Sequence, residues 1–181
     1  TVASYFSDGF IWAMESFSNP QATSIDVTGI TDFTNMFYQV GEAAVNVTGD
    51  YRTISGGDWD NIAIWETFNG SSWVPATVYP EASNAETITI RSGHSLFPGT
   101  LFSLTVDQFI IDESGELDML ESSLTVADGV GTDMDCYGSM SLGATMEIQG
   151  NATFEPGSQF ILYSAILNGP GTLDILAGAN I

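Results

Sequence analysis

Carboxylates in turns and a set of indole rings are the residues of this chain best placed to do chemistry. Asp58 and Asp60, with Asn61 beside them, put oxygens at alternate positions in one turn; Asp128, Asp133 and Asp135 do so in a second, glycine-bearing segment. Hard cations take oxygen ligands from such turns, so Ca²⁺ is the cofactor they suggest, with the second segment the better candidate. Neither carries the full EF-hand pattern, and a solvated acidic turn is the plainer reading of both. Trp59, Trp65 and Trp73 offer either a platform on which a sugar stacks or the filling of a core. Asp112, Glu113, Glu116 and Asp118 form a further acidic cluster, and paired carboxylates serve glycoside hydrolysis.

Other nucleophilic and basic groups are scarce. His94 is the single histidine, and no Gly-x-Ser-x-Gly turn accompanies it. It sits at the turn Arg91-Ser92-Gly93-His94, where a ring can hydrogen-bond between chain segments. Cys136 is the single cysteine, so the chain forms no internal disulfide. Its neighbours Asp133 and Asp135 disfavour a thiolate, which points to an inert thiol. Taken together, these residues argue against an enzyme.

Charge narrows the partners. The 181 residues hold 23 acids against Arg52 and Arg91, a formal net charge of −21. Nucleic-acid binding needs many cations and is excluded as a function class. Anionic membrane surfaces and uronate polymers are repelled by the same field. No run of about 18 apolar residues occurs, so membrane insertion by a helix is not expected. An extracellular or cell-surface setting, where salt screens such charge, suits the composition. Asn46, Asn69 and Asn151 begin short Asn-x-Ser/Thr sequons, a common chance match in a Ser/Thr-rich chain. The chain begins at Thr1 and its last residues still read as repeat, which suggests an excised or processed piece whose open end continues into further repeats or meets another subunit.

The elements that must position these residues are read from internal repetition. Ser103-Leu104-Thr105-Val106 returns as Ser123-Leu124-Thr125-Val126. Gly115-Glu116-Leu117-Asp118-Met119-Leu120 returns in near copy as Gly171-Thr172-Leu173-Asp174-Ile175-Leu176, and residues 144–148 are echoed by 152–156. Short β-type runs about 20 residues apart, separated by turns, predict a stacked β-solenoid over residues 86–181. A twisted β-sandwich also fits the turn spacing. Residues 51–85, rich in Tyr51, Trp59, Trp65, Phe68, Trp73 and Tyr79, read as a non-repetitive aromatic cap with a hairpin at Asn69-Gly70. Residues 1–50 lie outside the repeat. There, residues 4–17 form a short helix or strand, 24–30 and 43–47 read as strands, and 32–40 as a helix.

The stretch from Trp59 onward resembles a module of secreted surface proteins of Bacteroidota. The likeness rests on Gly57-Asp58-Trp59-Asp60-Asn61 through Trp65-Glu66, Asn69-Gly70-Ser71-Ser72-Trp73, and Ile88-Thr89-Ile90-Arg91-Ser92-Gly93-His94-Ser95-Leu96. It continues through Leu104-Thr105-Val106-Asp107-Gln108 to Leu124-Thr125-Val126-Ala127-Asp128-Gly129. The resemblance implies an all-β, right-handed parallel β-helix in a large, exported, adhesin-like cell-surface protein, often carried by type IX secretion. No sorting domain of that route is read in these residues. The expectation is a stiff structural spacer or filament-forming subunit that self-associates or continues into more repeats. The alternative is a carbohydrate-binding module of a larger secreted polysaccharide-active protein, meeting surface glycans.

Overall fold

The computed structural model describes residues 46–181 continuously, and before them only the strands β1 (Val2–Ser4), β2 (Phe6–Ser7), β3 (Phe10–Ile11) and β4 (Gln39–Gly41). The chain divides into two compact units, Thr1–Val45 and Asn46–Ile181. In the first, β1 pairs antiparallel with β4 and β2 with β3. The helix expected over 32–40 therefore ends in strand, with Val40 opposite Ala3; residues 32–38 lie outside the described residues. So do the strand expected over 24–30, most of the segment 4–17 and the start of 43–47, whose last residues, Asn46 and Val47, are not strand.

The second unit opens with β5 (Tyr51–Thr53), β6 (Gly57–Asp58), a 3₁₀ turn over Ile62–Ile64, β7 (Trp65–Phe68) and β8 (Trp73–Pro75). Then follow β9 (Ile88–Ile90), β10 (Ser95–Phe97), β11 (Ser103–Val106), β12 (Phe109–Ile111), β13 (Glu116–Met119), β14 (Ser123–Val126) and β15 (Met134–Cys136). The remainder are β16 (Ser139–Leu142), β17 (Thr145–Ile148), β18 (Asn151–Phe154), β19 (Gln159–Leu162), β20 (Ile166–Asn168) and β21 (Thr172–Ile175).

These strands stack as three parallel sheets around one axis: β5-β9-β12-β15-β18-β21, β6-β10-β13-β16-β19, and β11-β14-β17-β20. Successive strands of a sheet come from successive rungs, so the unit is a parallel β-solenoid and not a sandwich. Antiparallel pairing in this unit is confined to β7 on β5 and β8 on β7. The rungs begin at Tyr51, which stands opposite Ile88, so residues 51–85 supply both the first rung and its cover.

Alternation explains the core. Each short strand turns every second side chain inward, and like positions pile up in columns. One column runs Leu104, Leu124, Met146, Leu167; another runs Ile90, Ile111, Cys136, Phe154, Ile175. Their members are buried until the outermost rung. A single rung cannot hide this surface, so each depends on its neighbours.

Of the three sequence echoes, one is a true stack. Ser103 to Val106 pair residue for residue with Ser123 to Val126. The Gly115 and Gly171 copies fall in different sheets, on β13 and β21, and the echo of 144–148 joins β17 to β18 of one rung. What Gly115 and Gly171 share is a corner: each packs against backbone carbonyls of the rung below, where a Cβ would crowd.

One side of the first rung is covered. The β7–β8 hairpin covers the outer edge of β5, and Pro75 on β8 presents no N–H to the edge. Beneath it, Trp59 and Trp65 meet edge to face at 4.9 Å, and Trp59 meets Phe109 at 5.7 Å.

Candidate functional site

The indoles serve the core. Trp59 and Trp65 have no exposed surface, so neither can offer a sugar the open ring face that stacking needs. Burial obliges each indole N–H to find an acceptor. Trp59 Nε1 donates to the Pro80 carbonyl at 2.9 Å, and Trp65 Nε1 to the Trp59 carbonyl at 2.8 Å. Trp73 is half-buried, and one of its faces is taken by the Arg52 guanidinium, 3.9 Å from the ring centre. Arg52 also meets Glu66 at 2.5 Å, clamping the hairpin to the first rung. The three rings do not form a shared platform.

The acidic turns hold backbone. Asp133 is buried, and its two oxygens accept from Gly129 N at 2.8 Å and Asn151 N at 2.7 Å. It ties the long β14–β15 loop to the next rung, because amides in a buried corner need acceptors. Asp107 lies beside it over Gly129, its carboxyl raised by burial and then by the Asp133 charge. Asp60 accepts from the Thr100 amide at 3.0 Å and from the Thr100 hydroxyl, which hold its carboxyl below the ordinary value. Asp58, on β6, and Asp128 are exposed, while Asp135 is half-buried on the outer face of β15. Among the described residues, no three His, Cys, Asp or Glu side chains gather as a metal would require. A cation at Asp133 would compete with two amides for its oxygens.

His94 bridges rungs. Its Nδ1 lies 2.7 Å from the Thr53 hydroxyl, which accepts from Arg91 N at 3.0 Å. The hydroxyl keeps both its hydrogen and a second lone pair, so the contact joins the two rungs with the ring in either tautomer. Burial and the nearby Arg91 charge lower its basicity. Cys136 is fully buried in a core column, and burial pushes its thiol up to about 12. The buried thiol of Cys136 is not available as a nucleophile.

The open feature is one that sequence reading passed over. A shallow groove of about 320 Å³ runs along the corner between the two larger sheets, beside Glu113, Glu116, Tyr137, Ser139 and Gln159. Its floor is backbone: a Cβ on Gly138 would collide with the Gly115 carbonyl oxygen, so glycine is what lets the corners stack closely. Tyr137 stands half-exposed at its edge. Burial first, and then Asp135, Glu155 and Asp112, keep its phenol protonated. The legible signal was an aromatic placed directly before a corner glycine, Tyr137-Gly138. Such a groove offers one ring, hydroxyls and carboxylates, which can hydrogen-bond a polar ligand but hold no nucleophile–base pair. No family model, curated protein or solved structure matches the chain.

Proposed function

We propose that the chain is a non-catalytic structural component of an extracellular or cell-surface assembly, a stiff β-solenoid spacer whose role is presentation and adhesion. The observation that carries this reading is the unbroken stack of apolar columns, with His94 and Asp133 tying neighbouring rungs together. Cross-rung hydrogen bonds run along the axis, so the stack resists bending where a loop-built site would yield. A charge of −21 keeps neighbouring stalks apart and gathers divalent cations, Ca²⁺ among them, as a diffuse atmosphere.

The test is cellular and enzymatic. Antibody against the chain should label intact cells of its source without permeabilisation, and deletion should reduce attachment to surfaces. The purified protein should release no reducing ends from polysaccharides. Labelling only after permeabilisation, or measurable turnover, would overturn the reading.

A second reading has the Tyr137 groove in its favour: a carbohydrate-binding module that reads a glycan along the corner. Calorimetric titration with neutral oligosaccharides separates the two. Saturable heat that Tyr137→Ala removes selects the binding module, and silence across a glycan panel selects the spacer.

A further inference from the structure

The fold itself holds one guanidinium, and the way it does so is informative. Arg52 lies against the Trp73 ring, 3.9 Å from its centre, and meets Glu66 at 2.5 Å. The ring offers its face, and the carboxylate beside it offers an acceptor. The corner groove carries the same two kinds of group. Tyr137 is 44% exposed there, and Glu113 and Glu116 line the groove with it. Among the described residues no cation lies over this ring. Arg52 is committed to the hairpin, and Arg91 stands on an earlier rung, where its charge acts on Asp112.

Register preorganises the groove. Glu116 pairs with Ser139 and Ser139 with Gln159, so three rungs set their polar side chains in one line. Ser95 donates to one Glu116 oxygen at 2.7 Å, which pins the carboxylate; the other oxygen has no donor among the described residues. A second hollow of about 220 Å³ shares Glu113, Tyr137 and Gly157 with the first, so the ring borders two open spaces. Charge selects the occupant. Asp135, Glu155 and Asp112 act on the Tyr137 phenol, in addition to Glu113 and Glu116 in the groove. An anion is repelled by this field, and a neutral sugar leaves it unanswered. A guanidinium suits it better than an ammonium: it is planar, stacks on a ring, gives a carboxylate two parallel donors and is more weakly hydrated.

We propose that the Tyr137 groove docks an arginine-bearing segment of a partner protein, with a guanidinium on the Tyr137 ring donating to Glu113 or Glu116. Ser139 and Gln159 then meet the polar backbone of the same segment. The proposal rests on the reading of the chain as an adhesive spacer and gives that adhesion a ligand class, a basic protein surface.

The test is fluorescence anisotropy of a labelled hexa-arginine peptide with the full chain, at about 0.15 M NaCl to screen the diffuse field. Tyr137→Ala leaves the net charge at −21, so a purely diffuse attraction would not register it. A groove contact should weaken by about threefold to tenfold. Tyr137→Phe keeps the ring face and should bind like the parent, which separates the contact from damage to the corner. Glu116→Gln should weaken binding more than Glu86→Gln, which removes the same charge outside the groove. Hexa-lysine should bind less tightly than hexa-arginine. Equal affinity of Tyr137→Ala and the parent would end the inference, as would equal losses at Glu86 and Glu116, or no binding with protein at about 100 µM. Displacement of the peptide by a glucosamine oligomer at lower concentration would also overturn it and assign the groove to an amino sugar. None of these results alters antibody labelling of intact cells, so the spacer reading stands or falls separately.

Discussion

Asp135 shows what a single side chain costs in this architecture. It projects from β15 between Ile110 and Thr153, and burial first and Glu155 second raise its carboxyl above the ordinary value. Asp107 and Asp112 are raised as well, each chiefly by burial. A carboxyl raised in the folded state adds stability that is complete below its unfolded value of 3.8 and is lost as pH climbs through the folded value. His94 runs the other way: lowered on folding, it adds stability above 6.5 that is lost as pH falls. His94 acts first, costing stability as pH falls below 6.5, while the three acids, with general repulsion relieved as well, act nearer their ordinary range, so the protein should gain heat stability as pH falls from about 5 towards 4. Thermal melts across that range check this, and Asp135→Asn should raise stability at pH 7 and flatten the curve. A melting temperature that falls steadily on acidification would contradict it. The thiol of Cys136 gives a second test at this scale: with no exposed surface and a raised pKa, it should resist Ellman's reagent at pH 8 until denaturant is added.

At the scale of elements, the hairpin cap and the columns carry separable stability. Trp59→Ala opens a void beneath the cap and orphans the Pro80 carbonyl, so urea unfolding should show a loss of about 3–5 kcal/mol. Arg52→Met removes the clamp onto Glu66 and Trp73 without emptying the core, for a loss of about 1 kcal/mol. Within one column, Leu124→Ala should cost about 2–5 kcal/mol, and Leu167→Ala far less, because Leu167 is already part-exposed. Equal losses at both positions would mean that the outer rung is covered. The strand pattern was legible because alternation and turn glycines are local, and the copy of residues 103–106 at 123–126 reflects a true stack. The other echoes misled about position, since corners at Gly115 and Gly171 demand the same residues on whichever sheet follows. The indoles were ambiguous because one ring type suits both a core and a sugar platform, and only the stack decides which face is covered. Asp133 looked like a ligand because a carboxylate that accepts amides and one that binds a cation are the same residue in the same kind of turn. The Tyr137 groove escaped notice because its walls come from three rungs, a proximity set by register.

For the whole molecule, the governing quantity is the charge of −21 on a chain whose larger unit is a narrow apolar stack. The two cations cannot neutralise it, and Arg52 is already paired with Glu66. Carboxylates of neighbouring segments lie close enough to repel, as Asp107 and Asp133 do and as Asp135 and Glu155 do, well inside the Debye length at low salt. Self-repulsion therefore opposes the stacking that buries the columns, and added electrolyte should relieve it. Raising NaCl from about 0.05 to 0.5 M should raise the melting temperature, since screening reaches exposed charges far more than buried ones. Divalent cations should do so at lower concentration, because they are drawn more strongly to the same field. Two measurements then separate an atmosphere from a site. In an atmosphere, Ca²⁺ and Mg²⁺ act alike, calorimetry shows no saturable isotherm, and a chelator leaves the melting temperature of dialysed protein unchanged. This is the expected result, because Asp133 already gives both oxygens to amides and no three potential ligands gather among the described residues. A one-site isotherm for Ca²⁺ that Asp133→Asn abolishes would instead mean that the loop after β14 rearranges around a metal, and the acidic surface would then have to be read as a binding device.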